Sequence, residues 1–333
     1  GTVSFSQPLR ALALRRFIDP APFIPHDPDH LSERAEELLS IQAHGLARRL
    51  RHTHAQKLVV GLSGGLDSTL ALLVTVRAFD RLGLDRKGIH ALSMPCFGTT
   101  QRTRSNAEIM AREVGADFRV IDIQKATLQH MSDIGLSVED RSTAYENAQA
   151  RERTQVLMDI ANAENGLVVG TGDLSESALG WATYNGDHMS MYGVNCSIPK
   201  TLIRWMIDAI SEMPAFAPSR AVLQDVLDTP ISPELLPPDA EGKIAQHTED
   251  LVGPYALHDF FLYYVLRFGF RPTKIYTLAC RAFAGDFEPE VIKKWLKTFY
   301  RRFFTQQFKR SCLPDGVKVG SVTLSPRGDW RMP

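Results

Sequence analysis

Apolar residues recur along this chain at two spacings. In Leu31–Thr53, Leu31, Leu38, Leu39, Leu46 and Leu50 form a stripe near the helical period, which predicts a helix. Ser32, Glu33, Glu36 and Glu37 in its opening turns suit the positive end of a helix, and Arg48, Arg49 and Arg51 suit the negative end. From residue 57 onward, short apolar runs alternate with helical patterns. Lys57–Leu62, His90–Met94, Phe118–Ile123 and Leu167–Gly170 read as strands. Leu66–Leu82, Gln101–Val114, Gln124–Met131 and Ala144–Glu164 read as helices. Such alternation predicts an α/β fold: a doubly wound parallel sheet with helices on both faces and right-handed crossovers.

The texture changes after Gly170. Gly172–Cys196 is rich in Gly, Asp, Asn, Ser and Tyr and reads as a functional loop region. Ile198–Met213 is the next predicted helix, with Pro199 in its first turn. Thr229–Pro254 carries five prolines and reads as a long loop, a candidate lid that would keep water off a reactive intermediate. His258–Phe268, Thr273–Ala284 and Glu290–Phe308 predict a helical C-terminal part, followed by an irregular tail. At the other end, Pro8, Pro20, Pro22, Pro25 and Pro28 mark residues 1–30 as an irregular arm. The expected organisation is therefore an arm, 1–30, and one domain, 31–333.

Composition narrows the classes. The 333 residues carry 38 Lys+Arg against 38 Asp+Glu, so the formal net charge is zero. With 44% hydrophobic residues, disorder throughout is excluded, and the balance argues against a general coat for nucleic acid. No apolar run approaches the roughly 18–20 residues of a membrane span. Cys96, Cys196, Cys280 and Cys312 form no CxxC pair, which disfavours zinc and a disulfide framework and suggests a reducing, cytoplasmic setting. A start at Gly1 without an apolar leader reads as part of a longer protein.

Chemistry enters at Val59-Val60-Gly61-Leu62-Ser63-Gly64-Gly65-Leu66-Asp67-Ser68-Thr69, which leaves a strand and opens a helix. Glycines let the backbone approach a phosphate, and free N–H groups at the helix start point at it. Asp67 sits oddly beside an anion unless a cation lies between them, which implies Mg²⁺. Neither a Walker A motif nor GxGxxG is present. The segment resembles the pyrophosphatase loop of the N-type ATP pyrophosphatase superfamily.

A second constellation follows a strand end: Gly170-Thr171-Gly172-Asp173-Leu174-Ser175-Glu176, then Gly180-Trp181-Ala182-Thr183-Tyr184, then Pro199-Lys200-Thr201. Tyr145–Arg153 opens a helix upstream. From about Pro22 to the C-terminus, through Gln307–Ser311 and Leu324–Trp330, the chain resembles the NAD synthetase family, nearest the synthetase domain of its glutamine-dependent type.

That resemblance implies a fold of the adenine nucleotide alpha hydrolase type and a reaction. Deamido-NAD is adenylated by ATP with release of pyrophosphate, and ammonia then displaces AMP to give NAD. It implies that Gly61, Leu62, Ser63, Gly64, Gly65, Leu66, Asp67 and Ser68 cradle pyrophosphate, that Leu92–Met94 edge the adenine, and that Thr171 and Lys200 contact ATP. Asp67 and Glu176 match the Mg²⁺ ligands; with Lys200 they are the expected catalytic residues. Asn147, Arg151, Glu176, Trp181, Ala182, Thr183, Tyr184 and Lys309 match positions that bind deamido-NAD, and Trp181 or Tyr184 would stack on its pyridine ring. A homodimer or higher oligomer is implied, together with a glutaminase domain or subunit that this chain does not contain.

Other readings compete. Lys293, Lys294, Lys297, Arg301, Arg302, Lys309 and Arg310 lie among aromatics, a pattern that suits RNA, but a basic outer helix face is the preferred reading. A tRNA-thiolating ligase would need catalytic cysteines or an RNA-binding domain. A nucleotide-binding regulatory module would not need paired carboxylates with Lys200. No partnership with nucleic acid or membrane is expected.

Overall fold

The computed structural model describes residues 1–6, 14–27, 30–232, 235 and 248–330. In chain order its first elements are α1 (Leu31–Thr53), β1 (Leu58–Gly61), α2 (Leu66–Leu82), β2 (Ile89–Ser93), α3 (Gln101–Glu113), β3 (Asp117–Val120), α4 (Gln124–Asp133), α5 (Thr143–Ala163) and β4 (Leu167–Gly170). Next come α6 (Leu174–Leu179), β5 (Tyr192–Gly193), α7 (Lys200–Ser211), α8 (Arg220–Leu227) and α9 (Thr248–Val252). The chain ends with α10 (Tyr255–Phe268), α11 (Pro272–Ala282), α12 (Pro289–Thr305) and α13 (Gln307–Arg310).

All strand pairs are parallel, in the order β3-β2-β1-β4-β5. Val60 pairs with Ala91 on one side and Val169 on the other. Strand β1 is a continuous apolar run because both of its faces are covered. Leu58 and Val60 face a core shared with α1, α2, α7 and α8. Val59 points the other way, with Leu92 and Val168, onto Leu157 and Ala161 of α5. This is the doubly wound α/β sheet that the alternation predicts. The C-terminal helices build a separate aromatic core around Phe260, Phe261, Phe299 and Phe303, against which Leu174 and Leu179 of α6 pack.

Some expectations change. The predicted loop 172–196 contains α6 and β5; β5 is only two residues long and gives no periodic signal. Pro199 caps α7 from outside with extended backbone (φ −74°, ψ 159°), which makes Lys200 the first helical residue. Helix α8 lies between two predicted elements, and α9 interrupts the 229–254 loop. Residues 233–234 and 236–247 of that loop lie outside the described residues, as do 7–13 and 28–29 of the arm. The predicted helix Glu290–Phe308 breaks at Gln306, the cap of α12. The tail is irregular but packed: Val322 and Leu324 are buried, and the Ser197 hydroxyl donates to the Val322 carbonyl at 3.1 Å. No described helix is long and apolar enough to cross a membrane.

Gln306 turns the chain so that basic residues point inward. Arg310 is 1% exposed and donates to the carbonyls of Ser177 (3.2 Å), Ala178 (3.0 Å) and Phe303. Arg302 donates to Leu179 O at 2.9 Å, and Lys309 to Gly180 O (2.9 Å) and Ala182 O (2.6 Å). Three cations therefore occupy the negative end of the six-residue α6, a favourable place for positive charge. Lys293, Lys294, Lys297 and Arg301 stay exposed on the outer face.

His258 lies in the aromatic core, stacked on Phe299 and edge-on to Trp295 and Phe261. Its Nε2 donates to Val252 O at 2.7 Å, while Nδ1 has no hydrogen-bond partner among the described residues. Burial, with Arg302 as the nearby charge, pushes the imidazole down to about 4. As pH falls, the unfolded chain takes up this proton near 6.5 and the folded chain only near 4, so stability is lost across that window. A shift of that size corresponds to on the order of 3 kcal/mol. In urea unfolding at pH 7 and pH 4, the wild type should therefore lose about that much more stability than His258→Asn. Equal acid losses in the two proteins would contradict the assignment.

Candidate active site

Strand order reverses between β1 and β4: the chain steps from β1 to β2 on one side and from β4 to β5 on the other. In open α/β sheets ligands bind at such a switch point, at the carboxyl ends of the strands. A cavity of about 300 Å³ lies here, lined by Gly61, Asp67, Met94, Thr171, Glu176 and Lys200 among others. A second cavity of about 120 Å³ shares Gly170, Gly172, Glu176 and Asp187 with the first.

The loop after β1 is held by its own polar groups. Leu62 N–H donates to Leu92 O at 2.8 Å, continuing the strand ladder by one bond. Gly64 has φ +85°, and a Cβ there would fall on the Thr103 carbonyl, so only glycine fits. Ser63 N–H donates to Ser68 Oγ (3.3 Å), and Gly65 N–H to Ser63 Oγ (3.3 Å). Gly65 brings extended backbone to the start of α2 and offers no side-chain cap, so Leu66, Asp67 and Ser68 form its first turn. Asn195, fully buried, ties this loop to the one after β4. Its amide donates to Asp67 O (2.9 Å) and Thr171 O (3.1 Å).

The side chains converge on Lys200. Its Nζ lies 2.5 Å from Asp67 Oδ2 and 3.0 Å from Glu176 Oε1, and donates to both. Asp173 Oδ2 is 2.8 Å away, and the Tyr255 ring centroid is at 5.3 Å. Asp173 is the N-cap of α6 and Glu176 its third residue, paired in a capping box: Glu176 N–H donates to Asp173 Oδ1 at 2.7 Å. Oxygens of Asp67, Asp173 and Glu176 all lie within 4.8 Å of one another, close enough to share a cation. Burial raises the carboxyl groups of both Asp173 and Glu176, the latter to about 7, although Lys200 pulls the other way. Burial alone would lower the Lys200 ammonium, but the three carboxylates outweigh it and hold it well above its usual value.

The other residues expected at the site form a neighbouring group. Thr183 Oγ1 donates to Asn147 Oδ1 (2.7 Å), and Arg151 Nε to Tyr184 O (3.2 Å). Trp181 lines the larger cavity beneath the Arg302 guanidinium, 5.2 Å from its ring centroid. Ala182 and Lys309 line the smaller cavity. Tyr184 packs on Phe308 and His188, and with Asn147, Arg151 and Thr183 it lines neither cavity. Met94 lines the larger cavity, with its carbonyl accepting from Arg153 Nε at 3.1 Å.

Comparison with known proteins decides the family. Residues 38–265 match the family model for NAD synthase. The chain belongs to the NAD synthase family. It is 44% identical over 350 residues to the glutamine-dependent NAD(+) synthetase of Mycobacterium leprae, covering 98% of this chain and 51% of that protein. The glutamine-dependent NAD(+) synthetase of Thermotoga maritima is 27% identical over 310 residues, covering 91% of this chain and 48% of that protein. The chain thus spans about half the length of the curated relatives it matches. In fold it resembles the glutamine-dependent NAD(+) synthetase of Cytophaga hutchinsonii, with TM-score 0.72 and 18% identity over 90% of this chain and 53% of that one. It also resembles the NH3-dependent NAD synthetase of Campylobacter jejuni, with TM-score 0.56 and 18% identity over 86% and 96%.

Within this family fold, sequence reading missed Asp173, Asn195 and Tyr255. Asp173 carried a usable signal, because Asp-x-x-Glu is the spacing of a capping box. Asn195 and Tyr255 are brought in by tertiary packing and have no local signature.

Lys200→Met should turn the three carboxylates into an uncompensated buried cluster. The folded-state proton affinities of Asp173 and Glu176, already raised by burial, would rise further, so the stability of the variant should fall as pH rises from 5 to 8, more steeply than in the wild type. Urea unfolding in chelator across that range checks this; parallel profiles would contradict the charge balance described.

Proposed function

We propose that this chain amidates deamido-NAD to NAD, using ATP and ammonia and releasing AMP and pyrophosphate. What supports the reading is the convergence of the glycine loop, Asp67, Glu176 and Lys200 on one cavity at the switch point. In the first step a nicotinate carboxylate oxygen bonds to the α-phosphorus of ATP, and pyrophosphate leaves. In the second, the ammonia lone pair attacks the activated carbonyl carbon, AMP leaves, and nitrogen loses a proton to solvent.

Two anions must meet in the first step, so the site's task is electrostatic screening and positioning. The loop from Gly61 to Ser68 and the N-terminus of α2 hold the pyrophosphate portion, a use suited to unpaired helix N–H groups. Lys200 meets the charge that grows on the leaving pyrophosphate, and Thr171 holds ATP from the β4 side. Asn147, Arg151, Trp181, Ala182, Thr183, Tyr184, Glu176 and Lys309 hold deamido-NAD.

Asp67, Glu176 and the adjacent Asp173 fit a hard divalent cation. All their donors are oxygens, and Asp67 Oδ1 is buried without a hydrogen-bond partner among the described residues. Mg²⁺ held by these residues would supply positive charge that screens the two reacting anions. None of the four cysteines is assigned to ammonia release. The Cys196 thiol, lining the smaller cavity, is pushed up to about 11 by burial, the opposite of an activated nucleophile.

Incubation with ATP, MgCl₂, ammonium and deamido-NAD should produce NAD, read by an enzymatic cycling assay. Asp67→Ala and Glu176→Ala should each lower the rate by about 100-fold or more. Absence of NAD with the wild type would refute the reading, and near-normal turnover by either variant would refute its role assignments. Glutamine in place of ammonium should give no NAD; equal rates would refute the nitrogen donor.

A further inference from the structure

Helix α7 begins without a cap of its own. Pro199 precedes it and offers no side-chain acceptor, so the N–H groups of Lys200 and Thr201 must be satisfied from elsewhere. Two other helices supply the acceptors. Lys200 N–H donates to Ser175 Oγ of α6 at 2.9 Å. Thr201 N–H (2.9 Å) and Thr201 Oγ1 (2.7 Å) both donate to Asp259 Oδ2 of α10. Ser175 Oγ in turn donates to Asp259 Oδ1 at 2.5 Å. Both carboxylate oxygens of Asp259 are thus occupied, and the residue is only 2% exposed.

Sequence neighbours give this network its reach. Ser175 adjoins Glu176, and Thr201 adjoins Lys200. Whatever fixes Ser175 against Thr201 therefore fixes Glu176 against Lys200. Tyr255 lies one turn before Asp259 on α10, with its ring beside the Lys200 ammonium. Helix α10 so bears on Lys200 from two sides, at the backbone of the adjoining Thr201 through Asp259 and at the ammonium through Tyr255. A carboxylate at the positive end of the 12-residue α7 is also favourably placed.

We propose that Asp259 is a positioning residue: through Ser175 and Thr201 it locks Glu176 and Lys200 at their working separation. This rests on the reading of Glu176 and Lys200 as residues that act on substrate. Asp259 touches no reacting atom itself. Positional errors of about 1 Å at a reacting group lower rates by about 100-fold without requiring loss of binding.

The test compares Asp259→Ala, Asp259→Asn and Ser175→Ala with Leu278→Ala, a core truncation on α11 outside the site. At a temperature where circular dichroism shows each protein folded, Asp259→Ala should lower kcat by about 100-fold while KM for deamido-NAD shifts less than about 3-fold. Asp259→Asn keeps an acceptor for Thr201 and should be intermediate, at about 10-fold. Adding Ser175→Ala to Asp259→Asn should cost less than the product of the single effects, because both act through one network. Leu278→Ala should lose stability and keep kcat within about 2-fold of wild type.

Amide hydrogen exchange gives a readout that does not need turnover. Asp259→Asn should speed exchange at Lys200 and Thr201 while α10 and α12 stay protected. Wild-type kcat in folded Asp259→Ala, or in Asp259→Asn and Ser175→Ala should the alanine variant not fold, would overturn the proposal. So would a loss that merely tracks unfolding midpoint as it does in Leu278→Ala, or exchange that loosens the whole C-terminal layer. Should the wild-type chain make no NAD, the proposed function has failed, and the exchange pattern at Lys200 and Thr201 still decides whether Asp259 holds them.

Discussion

Three carboxyl groups, Asp173 fully buried and Asp67 and Glu176 partly so, gather around one buried ammonium, and that electrostatic coupling constrains everything around it. An unpaired ion in such a place is strongly unfavourable, because water no longer solvates it. Asp67, Asp173 and Glu176 therefore require a cation, and Lys200 supplies it within 3.0 Å of each. The four residues come from three helix starts: Asp67 from α2, Asp173 and Glu176 from α6, Lys200 from α7. A lysine at a helix N-terminus opposes the helix dipole, so its position follows from the carboxylates and not from local helix preference.

Convergence of three helix starts also sets the site's chemistry. The N-terminus of α2 and its glycine loop favour a polyanion at the sheet edge, the starts of α6 and α7 are capped by Asp173, Ser175 and Asp259, and the clustered carboxyl groups favour a cation. The C-terminal helices hold this arrangement from behind. Arg302, Lys309 and Arg310 fasten the carbonyl end of α6, and Asp259 and Tyr255 of α10 fasten the start of α7. What reads as a separate helical part is thus the backing of the site.

Strongly periodic segments were legible in the sequence because burial imposes their periods. Leu31–Thr53 and Leu66–Leu82 are observed with the predicted bounds, as is Leu167–Gly170. The glycine loop was legible because strand, turn and helix start leave few choices at Gly64 and Gly65. Less legible were features made by tertiary contact: β5 is too short for alternation, and Gln306 breaks a helix so that Arg310 can reach carbonyls of α6 and Lys309 those of Gly180 and Ala182 just beyond it. Within the site, Asp67, Glu176 and Lys200 stood out by residue type beside loops. Asp173 hid as an ordinary cap, and Asp259 lay inside an apolar stretch, Tyr255–Phe268, where a lone carboxylate shows no partner until α6 and α7 are packed against it. The basic stretch from Lys293 to Arg310 shows the converse. Its pattern suited a polyanion, yet Arg302, Lys309 and Arg310 are engaged with backbone carbonyls.

The central claim is that the Lys200 ammonium is charged, buried and fixed among three carboxylates. Selective ¹H–¹⁵N spectroscopy of lysine ammonium groups at neutral pH tests it most directly, since surface amines exchange their protons too fast to be seen. The account predicts a slowly exchanging ammonium signal that disappears in Lys200→Met and shifts in Asp173→Asn. A Lys200 ammonium that exchanges as fast as exposed Lys297 would contradict it.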